Sequence, residues 1–371
     1  MEREELLRLY SELEDGMTDG ERMVAYANGE EVDHIPFTIL ANEEAFADIF
    51  GYTTDQLRND PKAHIDIIRR RQEEYGLTGL GAGLGLRAVG TAVGSEIIYP
   101  EVGIDRVGYH VVQDINDLGK IIDNDPYTNP FYLSILERAH ILKDAFPEMP
   151  IGTSVTGPIS AAANIMPVAK LLRETVKHPA AVHELLDFAV YHSVAFVKMF
   201  VKEFGPTGYL VADPVACAGI ISRKQFNEFA RPGLEKLMEG CTEALGTVPM
   251  LHICGHTSPF WDIFTEMPIS GFSVDNCENL GEAVQAMGSK LAIQGNVSPV
   301  DAMLNGSIDD VIEACKECLR QGPESPCGYT LDVGCQVPIG TPAENMKAFI
   351  YAAKTYGRGA RKGCLPKGLS E

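Results

Sequence analysis

Short β-branched runs alternate along the chain with longer stretches in which apolar residues recur every three or four positions. His34–Leu40, Ile151–Thr156, Tyr209–Ala212, Val248–Cys254, Gly271–Val274, Lys290–Gln294 and Tyr329–Val333 are predicted strands. Pro61–Tyr75, Pro130–Ala145, Pro179–Phe204, Ser222–Ala244, Leu280–Met287, Ser307–Arg320 and Pro342–Tyr356 carry helical spacing between them. Ser222, ahead of Arg223-Lys224-Gln225, and Thr341, ahead of Pro342-Ala343-Glu344, mark helix starts. No Gly/Ser linker, charge block or short repeat divides the chain after about residue 30. The expected organisation is an N-terminal helical extension over residues 1–30 and a single domain over 31–371.

Thr156, Asp213, His252, Cys254, Asp275, Asn276, Asn296, Asp332 and Cys335 all fall at or just after the C-terminal ends of these strands. Polar residues with only structural duties would show no preference for that edge. In an eight-stranded parallel barrel it carries the active site, so a (β/α)8 TIM barrel is favoured over a doubly wound sheet.

Within that set, His252 and Cys254 are two residues apart at the end of an apolar strand, and their side chains point the same way. Gly255 lets the backbone turn after them, and Cys335 supplies a second thiol after the last strand. One imidazole and two thiolates suit a zinc ion with a free coordination position, the arrangement of catalytic rather than structural zinc. The bland alternative is a buried histidine with two buried small hydrophobes. His256 is expected close behind the ligands. Asp213 is open to three roles: fourth ligand, proton acceptor or loop cap.

Other motifs weigh less. Cys315-Lys316-Glu317-Cys318 falls near the end of its helix, whereas redox dithiols open one, and it lacks the second pair of a structural zinc site. Gly79-Leu80-Gly81-Ala82-Gly83-Leu84-Gly85 fails both the dinucleotide and the P-loop patterns and reads as a mobile loop over the barrel mouth, with Arg87 as its anchor. Ser154-Val155-Thr156-Gly157-Pro158 is a strand-to-loop switch that could offer a hydroxyl to the pocket.

The 371 residues are 45% hydrophobic, enough for a large core, and 52 acidic against 31 basic residues give a formal charge of −21. That charge opposes nucleic acid and anionic membranes as partners. The N-terminus has no apolar signal core, and no segment approaches about 18 uninterrupted apolar residues, so a cytoplasmic protein is expected. Nine cysteines without a secretory signal read as thiols and metal ligands rather than a disulfide framework.

Glu21-Arg22-Met23 with Asn28-Gly29-Glu30-Glu31-Val32-Asp33-His34-Ile35-Pro36, Ala212-Asp213-Pro214-Val215-Ala216, Gln294-Gly295-Asn296-Val297-Ser298-Pro299 and Thr341-Pro342-Ala343-Glu344-Asn345 together resemble landmarks of the uroporphyrinogen decarboxylase superfamily. The resemblance spans most of the chain. It points to the zinc-dependent branch that transfers methyl groups between a methylated cobamide and a thiol of the coenzyme M type. In the decarboxylases an arginine-rich loop grips the many carboxylates of the substrate; here that stretch reads Pro36-Phe37-Thr38-Ile39-Leu40-Ala41-Asn42-Glu43-Glu44, without arginine. Where they carry a late Gly-His-Gly, this chain has Gly334-Cys335-Gln336.

The resemblance implies zinc on His252, Cys254 and Cys335; place at the strand ends makes Asp213 and Asn296 the candidate catalytic residues and Thr156, Asp275 and Asn276 the candidate cofactor contacts. The resemblance also implies a corrinoid (methylcobalamin) presented by a separate carrier protein, a small thiol or methoxy substrate, and leaves room for a homodimer. The alternatives are a porphyrin-pathway decarboxylase and, in a different class, a non-catalytic barrel that binds a corrinoid or small molecule.

Overall fold

The computed structural model describes residues 1–40 and 43–370; Ala41 and Asn42, in the stretch compared above with the arginine loop, lie outside it. Eleven strands occur among the described residues: β1 Val32–His34, β2 Leu80–Gly81, β3 Glu96–Ile98, β4 Arg106–Tyr109, β5 Ile151–Thr156, β6 Tyr209–Ala212, β7 Met250–His252, β8 Gly271–Ser273, β9 Ala292–Val297, β10 Tyr329–Val333 and β11 Arg358–Ala360.

Seven of them form one parallel sheet in the spatial order β10-β9-β8-β7-β6-β5-β2, so successive sheet strands are neighbours and the connecting helices form an outer layer. An eighth position is filled beside β10 by Pro36–Thr38. Phe37 makes a parallel bridge to Leu331, the Leu331 amide donates to the Pro36 carbonyl, and the Thr38 amide donates to the Leu331 carbonyl. Pro36 has no N–H, so this segment cannot extend a full ladder. Among the described residues it makes no strand pairing with β2, and the sheet is a half-barrel of the expected type without a hydrogen-bonded seam.

Register places the site. Thr156 lies beside Ala212, Ala212 beside His252, His252 beside Ser273, Ser273 beside Gln294, and Gln294 beside Thr330. In a parallel sheet such partners project to one face, so a row that is polar except at Ala212 crosses the sheet. The alternate residues turn to the helix layer: Phe272 stacks on Phe264 with ring centroids 4.7 Å apart, and Leu251, Ile253 and Val274 are fully buried.

Several expectations need correcting. The run His34–Leu40 is not one strand, because Val32–His34 pairs antiparallel with Arg358–Ala360 before Pro36 breaks the ladder. The glycine run after Thr78 is not a loose cover. Leu80–Gly81 is the outermost sheet strand, and the Ala82 and Leu84 amides extend its bonding to the Gly152 and Ser154 carbonyls. Gly83 is needed there because a Cβ would lie 2.1 Å from Ser154 Oγ. Thr341 is not a helix cap: its hydroxyl donates to the Pro338 carbonyl, 2.8 Å away, and the helix starts at Ala343. Ser222 does cap, in a reciprocal pair with Gln225, but its helix widens to a π-turn over Phe226–Ala230. Pro232 offers no N–H at the next turn. The hairpin of β3 and β4 carries no alternation long enough to be read from sequence.

Candidate metal centre

His252 ends β7, with its side chain 4% exposed, and Cys254 follows it on the same side before Gly255 turns the backbone at φ 75°. Cys335 follows β10 and the close-packed Gly334, where a Cβ would meet the Asn276 amide nitrogen at 2.3 Å. His252 Nε2 is 3.1 Å from Cys254 Sγ, which is 3.4 Å from Cys335 Sγ, and the three ligating atoms all lie within 4.8 Å of one another. On the other side of the ring, Nδ1 is 3.0 Å from Ser273 Oγ and 3.3 Å from the Ser273 carbonyl. A proton on Nδ1 donated to Ser273 leaves the Nε2 lone pair facing the sulfurs.

The two thiols are strongly unequal. The hydrogen bond from Cys254, helped by His252, pulls Cys335 below the ordinary thiol range. That same bond, with burial, pushes Cys254 far above it. Two thiolates at this separation cannot both form without a cation between them. Tetrahedral zinc at about 2.3 Å from each sulfur would set the sulfurs roughly 3.8 Å apart, a few tenths of an ångström more than observed. The donor set, one imidazole and two sulfurs, therefore fits zinc and is electrically neutral with it.

Around the trio the structure distributes the other predicted residues unevenly. Asp275 Oδ2 accepts from the Gly255 amide at 2.8 Å and Oδ1 from the Cys277 amide at 2.9 Å, so it braces the turn after Cys254. Asn276 is exposed beside Gly334. Thr156 donates its hydroxyl to the Gly85 carbonyl at 3.1 Å, joining β5 to the end of the glycine run. The Asp213 carboxylate is fully buried and accepts from the Ser160 amide at 2.8 Å and the Ile159 amide at 3.3 Å, at the start of the helix Pro158–Ile165. Burial pushes its pKa up to about 6. Asn296 is turned away from the trio after Gly295, whose φ of 130° suits glycine. Its amide donates to the carbonyls of Asp275 and Glu278, and its Oδ1 accepts from Cys318 Sγ on the helix Ile308–Gln321.

His256 is exposed, 3.7 Å from Cys277 Sγ rather than against the ligands. Cys315 and Cys318 are buried in the helix layer, and Arg87 faces Asp105 at 3.8 Å. Three further residues bear on the site. Asp332, fully buried, accepts from the Leu40 amide at 2.9 Å and from Gln294 Nε2 at 2.6 Å, and burial pushes its pKa up to about 7. Glu44 Oε2 accepts from Gln336, next to Cys335, at 3.2 Å. Ser273 has no motif of its own, but the alternation Gly271-Phe272-Ser273-Val274-Asp275 puts its polar residues opposite the apolar ones, a signal for a strand whose inner face serves a site.

Comparison with known proteins places the chain among relatives. The chain is 25% identical over 344 residues to the methylcobamide:CoM methyltransferase MtaA of Methanosarcina barkeri, covering 90% of this chain and 97% of that protein. It is 31% identical over 249 residues to the methylcobamide:CoM methyltransferase MtbA of Methanosarcina acetivorans, covering 67% of this chain and 70% of the relative. A solved methyltransferase structure from Methanosarcina mazei superposes with a TM-score of 0.75 at 23% identity, covering 92% of this chain and 99% of that one, which establishes the shared fold. Uroporphyrinogen decarboxylases themselves are more distant relatives. The uroporphyrinogen decarboxylase (URO-D) family model matches residues 18–356, and the chain belongs to that family.

Proposed function

We propose that this protein is a zinc-dependent methyltransferase that moves a methyl group between a corrinoid, held by a separate carrier protein, and a small thiol or methoxy compound. The observation that carries the reading is the convergence of His252 Nε2, Cys254 Sγ and Cys335 Sγ from two strand ends. The names of the relatives, methylcobamide:CoM methyltransferases, support the corrinoid partner and the thiol acceptor. Nine free cysteines suit a reducing, cytoplasmic setting.

The protein's own residues prepare the chemistry. Ser273 accepts from His252 Nδ1 and so leaves Nε2 to face the sulfurs, and Cys254 and Cys335 supply the two negative charges that offset a dication. Among the described residues no fourth ligating group joins the trio, which leaves room for a substrate sulfur or ether oxygen. Zinc bound there would lower the pKa of a substrate thiol, at about 1.4 kcal/mol per unit, or polarise a methyl ether. Asp275 braces the ligand turn. Asp213 acts at one remove, by anchoring the helix that follows β5, and Asn296 likewise, by joining the loop after β8 to the helix layer. Thr156 closes the opposite side of the mouth, and Asn276 forms the rim against Gly334.

Decarboxylation of a many-carboxylate substrate is disfavoured on charge. The segment that would have to grip it carries no arginine, and its Glu44 reaches Gln336 beside Cys335. The test is elemental analysis with a transfer assay from methylcobalamin to thiols, and from methoxyaromatics to reduced cobalamin. Near-stoichiometric zinc and methyl transfer, both lost in Cys335→Ala, are expected. Zinc-free protein with full transfer activity would sink the reading.

A further inference from the structure

We infer that Ser273, the last residue of β8, and Asp275, two residues beyond it, are positioning residues that hold the His252-x-Cys254 pair in ligating geometry from both flanks. This deepens the zinc reading and rests on it. Ser273 is the lateral register partner of His252, is fully buried, and places its hydroxyl 3.0 Å from Nδ1. It therefore selects the tautomer and the ring rotation that aim Nε2 at the sulfurs. Asp275, 8% exposed, takes the Gly255 amide at 2.8 Å and so fixes the main chain immediately after Cys254.

The two braces act on different degrees of freedom. Ser273 controls a side-chain ring; Asp275 controls a backbone turn at a glycine with positive φ, where the chain is otherwise freest to swing. Asp275 is itself held, because its second oxygen takes the Cys277 amide and its carbonyl accepts from Asn296 at 3.1 Å. The helix-side neighbours Phe272 and Val274 are fully buried and keep the segment from rotating. Without the Ser273 hydroxyl, the ring retains only the Ser273 carbonyl at 3.3 Å, so its hold weakens without vanishing.

The experiment uses the full chain loaded with zinc, and in parallel with cobalt(II). Wild type, Ser273→Ala, Ser273→Thr, Asp275→Ala and Asp275→Asn are compared for zinc transfer to a chromogenic chelator and for the cobalt visible spectrum, with thermal unfolding of the metal-free proteins as the check on folding. Ser273→Ala and Asp275→Ala are expected to release zinc about tenfold faster with a shifted cobalt spectrum. Ser273→Thr, which keeps the hydroxyl, and Asp275→Asn, which keeps an acceptor, are expected to recover most of the wild-type rate and spectrum. A merely structural role would lower the unfolding temperature without a shifted spectrum that the conservative variants restore, and that outcome overturns the inference. So do alanine variants with wild-type release and spectra. Wild-type protein that takes up no zinc would instead overturn the metal reading itself, and this inference with it.

Discussion

Among the described residues, two clusters bring three ligating atoms within 4.8 Å of one another: His252, Cys254 and Cys335 at the sheet mouth, and Asp15, Asp33 and His34 near the N-terminal helices. They differ in how their charge is met. Asp33 is gripped through both oxygens by Arg22, at 2.7 and 2.9 Å, and also accepts the Gly16 and Met17 amides, while Asp15 is paired with Lys354 at 2.8 Å. The second cluster carries its own cations. Among the described residues, no lysine or arginine contacts the sulfur cluster. Closeness of donor atoms alone therefore does not tell the two clusters apart; whether their charge is already met by the protein does.

That contrast can be broken in four ways. The largest effect is expected for Cys335→Ala, which should bring zinc content below about a tenth of wild type and abolish methyl transfer, whereas Asp33→Ala should leave zinc content unchanged; elemental analysis of both proteins is the check. Next, Asp33→Ala should cost about 2 kcal/mol in denaturant unfolding, because Arg22, 3% exposed, loses its two-pronged partner and keeps only Asp19 and the Met17 carbonyl at close range. Zinc lost with Asp33, or an unfolding midpoint left in place, would erase the distinction.

Acid should reveal the same ion pair. Burial alone would raise the Asp33 carboxyl, but the Arg22 hydrogen bond and charge, together with His34, outweigh it and bring the pKa down to about 2. The folded value lies below the unfolded one, so the contribution is complete above pH ~4 and lost as pH falls toward 2, about 1–2 kcal/mol after solvent screening. Comparison of wild type with Asp33→Asn across that window measures it. The smallest effect belongs to Lys354→Ala: its pair with the half-exposed Asp15 should be worth less than about 1 kcal/mol, with no change in zinc.

The convergence of His252, Cys254 and Cys335 is legible in the sequence because these rare residue types fall at strand ends, and β-strand parity links His252 to Cys254 without any tertiary information. Helix boundaries such as Pro61–Tyr75 and Pro179–Phe204 are equally legible, since proline at the first turn and apolar spacing coincide. Leu80–Gly81 is not, because the glycine run around it answers at Gly83 to Ser154 on the neighbouring strand, a contact that no local pattern encodes. The direction of Asn296 escapes for a related reason: a backbone turn at Gly295 sends it to the helix layer although strand counting would send it inward. Asp213, open in sequence to ligand, proton-acceptor and loop-cap roles, is engaged by two helix amides in space, a partnership set by the β5 to β6 crossover.

Cys254 and Cys335 are separated by 81 residues, and the strands β8 and β9 lie between the strands that bear them. Any ion gripped by both would act as a removable cross-link, closing a long chain loop and restricting the unfolded ensemble as a covalent tie does. Metal supply would then govern how long the barrel's last third survives proteolysis, as well as whether it turns over substrate.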